Sequence, residues 1–145
     1  MPKQMLNAFI LIAPDFDEKF VVACVSRFQE AGMAVEIIGL SAGANRGLHG
    51  IRLLPDRSLK QSKFPDIGQQ ERPLLVIAGG RECETKLLLD PRIHAWIEWV
   101  LAKDGFIVLS EQARMLLNRM GWPELAATNS FSPEEIVKDG TLFFV

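Results

Sequence analysis

Ser110 is the residue in this sequence best placed for nucleophilic chemistry. Phe106–Leu109 reads as a strand and Glu111–Met120 as a helix, with no linker between them, so Ser110 stands at the junction. Such a sharp turn exposes a side chain, and a helix N-terminus favours an anion. A serine hydroxyl has little anion character near neutral pH and needs a general base. No Gly-x-Ser-x-Gly surrounds it, and serine is equally a favoured helix N-cap. The other candidate nucleophile is Cys83, which follows Gly79-Gly80-Arg81-Glu82. Arg81 would stabilise a thiolate there, whereas Glu82 and Glu84 would oppose it. The alternative reading is a bystander thiol at the surface. The backbone N–H groups of the Gly79-Gly80 turn are of the kind that forms an oxyanion hole.

The remaining reactive side chains read more plainly. Cys24 falls on the apolar stripe of the first helix and belongs to the core. Asp15, Asp17 and Glu18 form an acidic first turn that suits the helix dipole. His49 lies in a Gly-rich loop, and His94 sits at the fourth position of the helix opened by Pro91. Neither has a second ligand at metal spacing, so no metal is expected. The loop 41–50 holds Gly43, Gly47 and Gly50 but lacks the Lys-Ser/Thr of a phosphate loop, which argues against a nucleotide. Trp96 and Trp99 share one helix, with Trp122 close in sequence. They read either as a partner surface or as core.

The elements that must position these residues alternate along the chain. Ala8–Ala13 is a continuous apolar run, the signature of a strand buried on both faces. From Asp17 to Ala31 the apolar residues Phe20, Val21, Cys24, Val25 and Phe28 have helical spacing, and Gly32 follows as a C-terminal stop. Ala34–Leu40 reads as the second strand, Ile51–Leu54 as a short one, and 55–73 as polar and irregular. Leu74–Ala78 is a further strand. Asp90-Pro91 starts a helix, with Asp as N-cap and Pro at the first position. Ser132-Pro133-Glu134-Glu135 has capping-box spacing, and Thr141–Val145 reads as a last strand. Such alternation means parallel strands with helices on both faces.

Composition narrows the function. With 145 residues the chain reads as one domain, 1–145, at roughly 100–200 residues per domain. Its 48% hydrophobic and 23% charged residues exclude a disordered chain. Sixteen Lys and Arg against eighteen Asp and Glu, with no dense basic stripe, argue against nucleic acid. No apolar run approaches the roughly 20 residues that span a bilayer, so no membrane is expected. Two cysteines make no disulfide framework, and the N-terminus has no signal-peptide pattern, which fits a cytoplasmic protein.

Four segments carry a resemblance. They are Pro14-Asp15-Phe16-Asp17-Glu18 after the first strand, Ala78-Gly79-Gly80, the stretch from Asp90-Pro91-Arg92-Ile93 to Leu117, and Val137-Lys138-Asp139-Gly140 before the last strand. In this order and spacing they resemble the DJ-1/PfpI superfamily, whose fold is shared by class I glutamine amidotransferases. The resemblance implies a flavodoxin-like α/β fold, a mainly parallel sheet sandwiched by helices, with strand 106–109 central. It also implies a site made of a cysteine at the strand-to-helix elbow, often with a nearby histidine and a glutamate from the first helix. Here those positions hold Ser110, Asn129 (in Ala127-Thr128-Asn129) and Phe20. The family's helix after the last strand is also missing, so the chain resembles a degenerate, C-terminally shortened member.

The function expected is therefore a non-catalytic domain that binds a small molecule or a protein partner, without a cofactor. Its pocket would use Gly79, Gly80, Glu111, Asn129 and Glu18, the last turned inward in place of the missing glutamate. The alternative is a hydrolase, amidotransferase or glyoxalase/deglycase-type enzyme working through Ser110 or Cys83 in a rearranged site. A third is a structural subunit completed by another chain. Related proteins commonly dimerise, and Phe143, Phe144 and Val145 without a covering helix would leave an apolar patch. A homodimer is expected, packed through that strand or through helix 91–103 with Trp96 and Trp99.

Overall fold

The computed structural model describes residues 5–60, 64–65, 71–109 and 111–121. Ser110, Trp122, Asn129, the 132–135 turn and the strand 141–145 lie outside the described residues.

Strand β1 (Met5–Ile12) is the middle of the sheet. Ala8 to Ala13 are all buried, as their unbroken apolar run requires. On one side β1 pairs in parallel with β2 (Ala34–Gly39), Ala8 opposite Val35 and Ile12 opposite Gly39. On the other it pairs with β6 (Glu71–Ile77), Ala8 opposite Leu74 and Leu11 opposite Ile77. A two-residue strand β5 (Arg57–Ser58) extends the β2 side, and β7 (Phe106–Val108) pairs with β6. The order β5-β2-β1-β6-β7 is parallel throughout, as the alternation predicts. Among the described residues β7 stands at the end of this order and the continuously apolar β1 in its middle, so these strands do not test the expectation that 106–109 is central.

Helix α1 (Glu18–Glu30) connects β1 to β2, and helices α2 (Arg81–Leu88) and α3 (Pro91–Ala102) connect β6 to β7. The two crossovers run in opposite directions across the sheet. Right-handed connections therefore put α1 on one face and α3 on the other. Asp17 caps α1 by accepting the Lys19 and Phe20 N–H groups at 3.0 and 3.4 Å. Val21, Cys24 and Phe28 form its buried stripe. Asp90 caps α3 through the Arg92 N–H at 2.9 Å, with Pro91 in the first turn. Helix α4 (Glu111–Arg119) follows β7.

Three elements escape the sequence reading, one of them β5, which lies within the stretch 55–73 read as irregular. Helix α2 lies where the sequence suggested a turn, although Cys83, Leu87 and Leu88 already show one-sided spacing and are its buried residues. The Gly-rich loop contributes β3 (Asn45–Arg46), which forms a hairpin with β4 (Arg52–Leu53), the latter within the short strand expected at Ile51–Leu54. On the other face, Trp96 is buried within its own chain. Its ring lies 5.7 Å from that of Phe9, 5.3 Å from Phe64 and 5.6 Å from Trp99, so Trp96 is core and has no surface to offer a partner.

A candidate site at the carboxyl ends of β1 and β6

From β1 the chain proceeds outward to β2, whereas β6 proceeds the other way to β7. The crevice where that order reverses, at the carboxyl ends of the strands, is where open α/β sheets bind ligands. Two loops meet there, 13–17 after β1 and 78–80 after β6. The Asp17 N–H donates to the Gly79 carbonyl at 2.8 Å, and the Ala78 N–H to that of Leu11 at 3.0 Å. Gly80 has φ +112°, and a Cβ there would stand 2.5 Å from the Asp15 carbonyl oxygen. Only glycine permits both that backbone geometry and that approach. A Cβ on Gly79 would lie 3.8 Å from the Phe20 ring. Position 20 thus faces the Gly79-Gly80 turn with an aromatic ring that has no proton to exchange.

A third segment, the hairpin, closes over the start of α1. The Asp15 N–H donates to the Arg46 carbonyl at 2.8 Å, and the Leu48 N–H to that of Phe16 at 2.9 Å. The Glu18 side chain, 3% exposed, holds the hairpin from inside. Its Oε2 accepts the His49 and Ile51 N–H groups at 2.8 and 3.1 Å, and its Oε1 lies 3.0 Å from His49 Nδ1. Burial by itself would raise this carboxyl. The backbone N–H groups of Glu18, Ile51 and His49 and the His49 ring outweigh it and hold the group down at about 2. Gly47 belongs to the same arrangement, because a Cβ there would overlap the Glu18 carboxylate. The sequence offered Glu18 as a pocket group or as part of an acidic turn, and placed His49 in an unattached loop. The structure joins them, and the glycines flanking His49 are the one signal in the sequence that pointed to close packing.

Asp17, Glu18 and His49 each bring an oxygen or ring nitrogen within 4.8 Å of the others, a juxtaposition the sequence spacing concealed. The donor set does not suit a cation. Both Glu18 oxygens already accept N–H groups, and Asp17 Oδ1 caps the helix.

Cys83 is the clearest departure from expectation. In place of a surface thiol or an exposed nucleophile, it is fully buried, with Sγ 3.8 Å from the Ala78 carbonyl. Burial pushes its thiol up to about 12, and Glu84 adds to the rise against the Ala13 backbone and Lys86. Iodoacetamide should therefore leave Cys83 unlabelled in native protein and modify it only after unfolding. Mass spectrometry of the two samples checks this, and labelling of native Cys83 would refute the burial argument. Cys24 is buried, as its helical stripe implied. His94 is half-buried, its Nε2 2.7 Å from the Leu88 carbonyl. Glu111 opens α4.

Residues 7–142 match the sequence model of the DJ-1/PfpI family. The chain belongs to that family. Solved structures of DJ-1 proteins resemble this DJ-1/PfpI chain in fold. A cysteine-to-alanine mutant of a DJ-1 superfamily protein from Salmonella typhimurium aligns with TM-score 0.69 at 20% identity, covering 97% of this chain and 75% of that one. Oxidized DJ-1 of Toxoplasma gondii aligns with TM-score 0.67 at 14% identity, covering 87% and 66%. DJ-1beta of Drosophila melanogaster aligns with TM-score 0.67 at 21% identity, covering 81% and 61%. The chain thus spans about three-fifths to three-quarters of the length of these relatives. No curated protein matches it by sequence. Among the described residues no helix is long and apolar enough to cross a membrane.

Proposed function

We propose that this DJ-1/PfpI domain works by binding a small molecule or a protein partner, without chemistry of its own. The observation that carries this reading is Phe20. Its ring stands where a Cβ added to Gly79 would lie 3.8 Å from it, at the position where the family resemblance places a glutamate from the first helix. The carboxylate nearest in sequence, Glu18, is turned away and spends its oxygens on the hairpin. Cys83 cannot substitute as a nucleophile, since a thiol held near 12 has almost no thiolate at neutral pH. Ser110 would need a base, and His49 and His94 lie against the Glu18 carboxylate and the Leu88 carbonyl.

The purified protein should show negligible esterase, amidase or glyoxalase activity, and Ser110 should not react with an organophosphate. Stoichiometric labelling of Ser110, or an activity abolished by Ser110→Ala, would establish the enzyme reading instead.

A further inference from the structure

At the amino ends of the strands, opposite the crevice, one face of the sheet carries a cavity of about 490 Å³, a size that suits a bound ligand. Its floor runs from β6 across β1 to β2. The register pairs Asn7 with Ala34 and Phe9 with Glu36, so these four side chains share that face. Glu71, the first residue of β6, accepts the Asn7 amide at 2.9 Å. On the β5 side Glu36 holds Arg57, whose Nη2 donates to Oε2 at 3.0 Å. Asp56 Oδ2 accepts the Ile37 N–H at 2.7 Å. Three carboxylates thus line the cavity against one guanidinium, and Glu36 already pairs with that one. The surplus charge is negative.

The same wall has an open backbone edge. Among the described residues β2 meets another strand on this side only at Ile38 and Gly39. Just before them the Asp56 N–H donates to the Ile37 carbonyl at 2.8 Å, so the backbone groups of Ile37 point away from β1. Alternate residues of a strand aim their backbone groups at the same edge. The N–H and C=O of Val35 therefore point outward as well, where no described strand meets them. An open edge of this kind is a template for another extended chain.

We propose that this notch takes a short extended peptide carrying a lysine or arginine side chain, added as a strand on the β2 edge. The peptide backbone bonds the Val35 N–H and C=O. Its basic side chain passes over Ala34, which is small and exposed, towards Asn7 and Glu71. The aliphatic stem then lies along the sheet face beside Phe9, and the charge ends among the carboxylates. β2 and β6 stand about 10 Å apart across β1, so a long side chain is needed to approach Glu71 from that edge. An acidic peptide meets repulsion from the same groups. The site is at the far end of the sheet from the crevice and holds whether or not the crevice does chemistry.

The probe is acetyl-Val-Lys-Val-Lys-Val amide, titrated calorimetrically into the full chain at low salt. Binding should saturate and weaken as salt is added. The same peptide methylated on every backbone nitrogen keeps its charge but cannot donate, and should bind at least about fivefold more weakly. Glu71→Gln and Asp56→Asn keep the shape and remove a charge, and each should weaken binding about threefold. Val35→Pro removes the outward N–H and leaves the β1 ladder intact, with a loss of about threefold or more. Amide exchange at Val35 should slow when the peptide is bound. No saturable binding up to about 1 mM would overturn the proposal. So would binding indifferent to backbone methylation, or indifferent to both charge removals. Protection of the Val35 amide that grows with protein concentration alone would make a second copy the occupant, and would overturn it too.

Discussion

Replacing Gly80 with alanine should destabilise the protein more than any other single-methyl change at the crevice. Two independent costs coincide there. A non-glycine residue at φ +112° carries roughly 1–3 kcal/mol of backbone strain. The new Cβ would also meet the Asp15 carbonyl at 2.5 Å, with Asp17 N and Phe16 Cα at 3.3 Å, so the neighbours are rigid backbone. Overpacking of that kind costs about 1–3 kcal/mol more. The sum, about 2–6 kcal/mol, is a large share of the roughly 5–15 kcal/mol that holds a domain together. Thermal unfolding should show a midpoint lower by at least about 5 °C. Gly79→Ala is the control, because its Cβ meets only ordinary contacts at 3.8 Å. Equal midpoints for the two variants would mean that the loops after β1 and β6 are not locked together as described.

Much of this architecture can be read from the chain, and the failures have identifiable causes. The unbroken run from Ala8 to Ala13 announces a strand covered on both faces, and Asp90-Pro91 marks the start of α3 to the residue. Both signals are local: burial on two faces leaves no polar alternation, and capping is decided within one turn. Helix α2 was obscured because Gly79-Gly80 precedes it and Glu82, Glu84 and Lys86 break up a stripe of only three apolar residues. The burial of Cys83 is hidden in the sequence for the same reason, since it depends on the helix that turns the side chain inward. The attachment of Glu18 to His49 joins residues 31 positions apart, and no periodicity encodes a contact at that range. What was legible was steric: glycines at 47 and 50 on either side of His49, the first of which admits the carboxylate. The position of Phe20 came from resemblance, and the described structure gives that position a physical surrounding at Gly79.

Removing the Glu18 carboxylate should release the hairpin while leaving the sheet intact. In Glu18→Ala the N–H groups of His49 and Ile51 and the His49 ring lose their shared acceptor. The antiparallel pairing of β3 with β4 is only two residues long, so it cannot hold the hairpin closed alone. Amide hydrogen exchange should speed up at least about tenfold at His49 and Ile51, with little change along β1. The carboxylate also leaves a signature in the acid limb of stability. Its pKa is lowered on folding, from 4.5 to about 2. The unfolded chain therefore takes up its proton first, and the stabilisation is complete above about 4.5 and disappears as pH falls through about 2. Glu18→Gln keeps the shape and one acceptor oxygen but does not titrate. Denaturant midpoints followed through this window should fall more steeply for the unmodified chain than for Glu18→Gln, so that the two curves converge at the acid end. Parallel curves, or unchanged exchange at Ile51 in Glu18→Ala, would show that the hairpin is held by its backbone contacts to Asp15 and Phe16 instead.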